Sequence, residues 1–497
     1  MRTQASKGIH RCHATATSLG AQCLGAGPCK RRSGAERISD VAEIGQKKTP
    51  LKSKQLSSLR RASVCASLAV LFLLCPSLAD DWPQWLGPNR DSVWREKGIV
   101  ARFPGEGLPI KWRRPVALGY SGPAVANGHV YVMDYVLRSG KFTNNPDGRE
   151  GLEGVERVLC LDADTGQLIW THEYERPYRI SYPGTRCTPT IDGDRVYALG
   201  AEGNLSCLDS ASGRAIWAKD FAKDYGARTP LWGVAAHPLV HGDVLYCVVG
   251  GEGSVAVALD KRTGRELWRA LSARQPGYCP PTMIEQAGRK QLLIWHAEAL
   301  NSLDPRTGKV FWSVPLKPRS GMAIAAPRKL GHYLLATGEY AAVLLKLSDA
   351  SAAPEILWRG KPKTAVYCVN STPFLEDTMI YGCDANTGAL MGVRLEDGQR
   401  MWQTFEPTMG GTRRRPYGTA FLVKHEDRFF LFSETGDLIL ARLSVQGYEE
   451  ISRVHLLEST NHSFGRPVVW SHPAFAQRCL FARNDKELVC VDLQASH

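Results

Sequence analysis

LCLDADTGQLIW, residues 159–170, holds the pattern that decides the fold: an aspartate (Asp162), a short gap, Thr165-Gly166, three residues, and Trp170. The chain repeats it as LDSASGRAIW (208–217), LDKRTGRELW (259–268) and LDPRTGKVFW (303–312), with a weaker RLEDGQRMW ending at Trp402. A fixed period of roughly 45 residues marks a repeat architecture in which each copy is one supersecondary unit. The second copy shows the unit most fully. Cys187-Thr188-Pro189 leads into Asp192-Gly193, then into the apolar strand 196–200. A further strand at 205–209 runs into Ser212-Gly213 and on to Trp217. An Asp-Gly pair between apolar runs is a hairpin signal, and Gly166, Gly213, Gly264 and Gly308 supply the positive φ that a tight turn needs. Four short strands per copy make a β-propeller blade.

Seven copies end at Trp170, Trp217, Trp268, Trp312, Trp358, Trp402 and Ile451. An eighth starts at Trp470-Ser471-His472-Pro473 and stops after 488–492 without its outer strand, while Pro109-Ile110-Lys111-Trp112 stands ahead of the first copy as an orphan outer strand. Joining the two ends closes the ring and leaves no open edge. The expectation is therefore an all-β, eight-bladed propeller of four-stranded antiparallel blades over 109–493. The tryptophans, Trp112 included, pack at blade junctions as structural residues, since a buried indole needs both contact area and a fixed partner for its N–H.

Composition divides the chain before it excludes anything. Of 62 Lys+Arg and 49 Asp+Glu, residues 1–79 hold 13 and 3, so the leader carries +10 of the net +13. The remainder is nearly balanced, which gives no support to a nucleic-acid partner. Lys52, Lys54, Arg60 and Arg61 precede the apolar run 62–74, and Ser77-Leu78-Ala79 follows. This is the layout of a secretory signal, with cleavage expected near Ala79 and an export to the periplasm or cell envelope. The run is too short to span a bilayer, so membrane association is at most loose or anchor-like. Residues 80–108 form an N-terminal extension. Nine of the 14 cysteines lie beyond the leader, and Cys160, Cys207 and Cys490 each fall two residues before a motif aspartate. Equivalent slots in different blades cannot meet, so free core cysteines are expected rather than a disulfide framework.

This pattern resembles the pyrroloquinoline-quinone-like (quinoprotein) β-propeller family over residues 82–493. Asp81-Trp82-Pro83-Gln84-Trp85-Leu86-Gly87-Pro88-Asn89-Arg90 also looks like the opening of its secreted bacterial members. The resemblance implies two branches. One comprises dehydrogenases that hold the quinone with calcium in the central channel; the other includes an outer-membrane assembly scaffold without a cofactor. No two cysteines are adjacent and no Cys-x-x-Cys-His occurs, so the dehydrogenase branch loses its disulfide ring and a haem exit. The expectation is a monomeric binding or scaffolding module with no cofactor and no metal, a protein, peptide or glycan as partner, and no catalytic residue. The alternative is a quinone-dependent dehydrogenase oxidising an alcohol or sugar.

Blade topology sorts the loops. Loops between strands two and three share one face with the blade-to-blade crossings, and the tight Asn/Asp-Gly and Thr-Gly turns share the other. The long segments 133–157, 405–417 and 452–466 fall on the first face, where Arg186, Trp232, Tyr278, Arg415, Tyr417, His462 and Arg466 are the candidate ligand contacts. Arginine and aromatic side chains there suit anionic or planar groups. His237 and His472, in the small-x-Pro slot of two innermost strands, are expected to line the channel. Asn144–Gly148 is read as a flexible surface loop rather than a calcium loop, because it lacks alternating carboxylates.

Overall fold

The structure, a computed structural model, describes residues 80–348, 353–411 and 413–495; the signal-peptide reading lies outside them. Eight four-stranded antiparallel sheets follow one another along the chain. Blade 1 has strands Ala124–Ala126, His129–Ser139, Glu150–Asp162 and Leu168–Glu175, and a short fifth strand, Tyr178–Ile180, pairs with the start of the third. Blade 8 combines Ala474–Ala476, Cys479–Arg483 and Glu487–Asp492 with Ile110–Pro115 from the other end of the chain. Trp112 stands opposite Cys490 and Arg114 opposite Leu488. The orphan strand therefore closes the ring as its sequence requires. Fully buried Arg483 reinforces the seam by donating from Nη1 to the Met133 carbonyl (2.7 Å) and from Nη2 to the Ala117 carbonyl.

The repeated motif now has a physical reason at each position. Asp162 Oδ1 accepts from the Thr165 amide and hydroxyl, both at 2.8 Å, and Asp209 and Asp260 do the same for Ser212 and Thr263. Six of the seven motif indole N–H groups cross to the next blade and donate to the carbonyl just after that blade's motif position. Trp112 reaches Ala163 (2.9 Å), Trp170 reaches Ser210 (2.9 Å), Trp217 reaches Lys261 (3.2 Å) and Trp268 reaches Pro305 (3.0 Å). Trp358 and Trp402 bond Leu395 and Ser444 in the same way, whereas Trp312 donates to Gln291 Oε1 within its own blade. The turn glycine lies directly under its neighbour's tryptophan. A Cβ on Gly213, at φ 71°, would meet the Trp170 ring at 2.5 Å. Left-handed backbone and indole contact thus both demand glycine.

The motif carboxylates give the ring a pH dependence. Hydrogen bonds from the Thr or Ser hydroxyl, then from the backbone amides, hold Asp162, Asp209 and Asp260 below the usual carboxylate range. A depressed folded-state pKa adds stability above the unfolded value of about 4 and loses it as pH falls through the folded one. The contribution of these three carboxylates to the melting temperature should therefore be present above about pH 4 and be lost as pH falls below it. Changing all three aspartates to asparagine should remove that loss in thermal melts.

Several details depart from the expectations. The segment 133–157 is mostly not loop: the two central strands of blade 1 continue as a long hairpin, Tyr135 facing Glu156, and only 140–149 lies outside strands. Its tip is held rather than loose. Glu150 accepts from Thr143 and Asn145, and buried Asn144 donates from Nδ2 to the His462 carbonyl at 2.9 Å. The outer strand of blade 7 extends to His455, so 452–455 belongs to it and the crossing begins afterwards. Not all Thr-Gly turns share the tight-turn face. Thr387-Gly388, capped by Asp384 as in the motif (2.8 Å), joins strands two and three of blade 6 and so lies on the opposite face. All nine cysteines of the described residues are free and buried. Among those residues no helix is long and apolar enough to cross a membrane.

Candidate functional site

The N-terminal extension turns the central channel into a one-ended funnel. Trp82 exchanges backbone bonds with Val125 in blade 1, the Pro83 carbonyl accepts from Ile191 in blade 2, and Ser92 and Trp94 pair with Lys424 in blade 7. Each of these contacts lies near the end of an innermost strand that enters a tight turn. Between them Leu86, Gly87, Arg90 and Ser92 take positive φ, folding the chain into a compact hook. Arg90 donates to the Pro238 carbonyl, and Arg328 Nη2 donates to the Asp91 carbonyl at 2.6 Å. Burial pulls the Arg90 guanidinium down to about 9. The hook raises Trp85 into the channel, where its ring centroid lies 4.7 Å from that of His237 and 5.7 Å from that of His472. The hook spans the tight-turn end of the channel, bonded to blades 1, 2, 3, 5 and 7.

Above Trp85 lies a cavity of about 380 Å³ that opens toward the long-loop face, within the range of small-molecule pockets, about 300–1,000 Å³. All eight blade-to-blade crossings contribute wall. Tyr120 comes from the crossing into blade 1, Tyr182 and Arg186 from the next, then Trp232, Tyr278, Arg319 with Met322, Asn370 to Thr372, Tyr417, and finally Phe464 and Trp470. Two loops between central strands add Pro146, Asp147 and Glu339.

Six of the sequence-derived candidates, Arg186, Trp232, Tyr278, Tyr417, His237 and His472, converge on this cavity, and Arg415, His462 and Arg466 do not. Arg415 and His462 are exposed. Arg466 is held by buried Glu434, at 2.7 Å from Nε, and also donates to the Pro416 carbonyl. Trp85, Glu339 and Arg319 were missed by sequence reasoning. Trp85 stands in the quoted opening motif, far from any blade, and Glu339 sits in a two-residue loop with no pattern of its own.

The electrostatics of the wall are uneven. Burial drives both channel histidines toward the neutral imidazole: His472 falls to about 3, and His237, further opposed by His472 and Arg90, lies well below its ordinary value. Burial likewise lowers the Arg186 guanidinium, whose Nη2 donates to the Ser181 carbonyl at 3.0 Å and to the Tyr182 carbonyl. Arg186 also lies over the Tyr120 ring, 4.8 Å from its centroid. Glu339 is 4% exposed; Oε1 accepts from the Tyr417 hydroxyl at 2.7 Å.

The wall is poor in ligands for a hard cation. Its carboxylates are Glu339 and Asp147, its cysteines none. Among the described residues no group of three His, Cys, Asp or Glu side chains is placed to hold a metal ion. A quinone held by calcium requires an oxygen-rich cage of six or more ligands. The residues present do not fit it.

A family model described as outer membrane protein assembly factor BamB matches residues 154–404 and again 300–497. The chain belongs to this PQQ-like β-propeller family. No curated protein sequence matches it significantly. BamB from Moraxella catarrhalis superposes with a TM-score of 0.51 at 15% identity, over 78% of this chain and 99% of that one. The quinohemoprotein alcohol dehydrogenase of Comamonas testosteroni gives 0.56 at 12% identity, over 84% and 81%. At such identities the likeness concerns the fold, which an assembly factor and an alcohol dehydrogenase share.

Proposed function

We propose that this protein is an exported, non-catalytic binding module that takes a small organic ligand, or the end of a peptide or glycan, into the central funnel from the long-loop face. The observation that carries the reading is the one-ended cavity itself, floored by Trp85 and walled by aromatic side chains with a few polar groups among them. Concave, largely apolar sites with a small number of convergent polar groups are where small molecules bind. Stacking on indole and phenol faces holds planar or ring-shaped groups. The missing cation cage weighs against the family's other branch. Arg415, His462 and Arg466 sit outside the funnel and serve, in this reading, the outer rim that a larger partner would cover.

Quinone reconstitution decides between binding and catalysis. Purified protein mixed with pyrroloquinoline quinone and calcium should develop no bound chromophore and reduce no dye with alcohols or sugars. Dye reduction at an ordinary enzymatic rate would replace this reading with that of a quinone-dependent dehydrogenase.

A further inference from the structure

Two opposite charges face the funnel without an ion pair, although Arg319 and Asp147 line the same wall. Arg186 comes from the crossing into blade 2, and Glu339 from blade 5, across the ring. Among the described residues neither makes a salt bridge, although 24 ion pairs occur elsewhere in the structure, including Arg466 with Glu434 nearby. Each also keeps a buried polar atom with no hydrogen-bond partner, Nε of Arg186 and Oε2 of Glu339, and the floor indole adds a third, Nε1 of Trp85. All three residues line the cavity.

Buried polar atoms left unpaired are costly, about 1–3 kcal/mol each and more when charged. Structures keep few of them, and those they keep ask for an explanation. After burial, the groups that act most on Arg186 are the neutral hydroxyls of Tyr120, Tyr278 and Tyr178 and the neutral thiol of Cys187. Glu339 receives one neutral hydroxyl, on the oxygen away from the orphan. A wall built only for apolar stacking would need neither charge.

Resting on the binding reading above, we infer that the funnel's ligand is a small zwitterion. Its anionic group is received by Arg186 and the Trp85 N–H, and its ammonium group by Glu339. Arginine receives a carboxylate or phosphate through charge-assisted hydrogen bonds, roughly twice as strong as neutral ones. A purely anionic ligand leaves Glu339 buried and opposed; a purely cationic one does the same to Arg186. Two sources share this chemistry: the free ends of a short peptide, and an amino sugar that also carries an acid group.

The test titrates the full exported protein calorimetrically with two probe sets. One is triglycine to pentaglycine with free ends, alongside N-acetylated and C-amidated forms. The other is muramic acid beside glucosamine and glucuronic acid. At least one doubly charged probe should bind, and blocking either end should weaken it tenfold or more. Arg186→Gln should cost a similar factor for the free probe and almost none for the C-amidated one. Glu339→Gln should behave in the same way toward the N-acetylated form, so the two variants check each other if one folds poorly. Binding that ignores both blocked ends, or that survives both variants, overturns the zwitterion while leaving the funnel as a binding site. Failure of every doubly charged probe to bind at millimolar concentration also overturns it. Failure of the funnel itself is read separately, by the fragment experiment that closes the Discussion.

Discussion

Replacing Trp170 by alanine lowers the stability of the ring by about 3–5 kcal/mol, the usual cost of deleting a large buried aromatic. Trp170 is 8% exposed and packs against Tyr131 of its own blade, ring centroids 5.9 Å apart. Its far face rests on Gly213 of blade 2, and its N–H satisfies the Ser210 carbonyl at 2.9 Å. The substitution thus removes core contact, opens a gap over a glycine and strands an acceptor at a blade junction. Trp170→Phe restores the packing but not the hydrogen bond, and should recover most of the loss. Chemical denaturation of the three proteins measures it. A change below about 1 kcal/mol in Trp170→Ala would mean that the blades do not depend on the girdle.

The second large effect is expected at Trp85. Trp85→Ala removes a side chain that is 5% exposed and packs with Leu86, Ala326, His237 and His472. It should cost about 3–5 kcal/mol by the same reasoning. Unlike the girdle substitution, it also opens the funnel floor. Any probe that binds wild-type protein should lose tenfold or more in affinity to Trp85→Ala, whereas Trp170→Ala should leave the affinity of the folded fraction unchanged. Equal affinity in wild type and Trp85→Ala would show that ligands do not reach the floor.

The blade count and ring closure were legible because each rests on a local pattern with one physical solution. An orphan outer strand ending in Lys111-Trp112 and a last copy lacking its outer strand fit only each other. The turn glycines were legible in half of their role: positive φ follows from the turn, but the indole above Gly166 or Gly213 belongs to another blade, 54 or 43 residues away. The site was read unevenly for the same reason. Crossings must line the channel mouth, so Arg186, Trp232, Tyr278 and Tyr417 were placed by topology alone. Arg466 looked equally available. Its partner Glu434 lies in a different loop, and only the folded ring brings the two to 2.7 Å. Trp85 was hidden because nothing in an extension of irregular backbone says which way it folds. Six positive-φ or proline positions from Pro83 to Ser92 are compatible with many paths, and bonds to Val125, Ile191 and Lys424 select one.

That Thr387-Gly388 lies on the face opposite the other Thr-Gly turns shows the limit of motif reading. Asp384 caps it as Asp162 caps Thr165-Gly166, so the local hydrogen bonds are the same. What differs is which strands the turn joins, and that is set by the blade rather than by the motif.

The central claim is that the funnel above Trp85 is where this protein binds. Crystals soaked with a fragment library of amines, acids, zwitterions and neutral rings test it most directly. The account predicts that bound fragments cluster in the funnel, with acidic groups at Arg186 and Trp85 Nε1 and amines at Glu339 Oε2. Fragments found only on the tight-turn face or the outer edges of the blades, with none in the funnel, would contradict it.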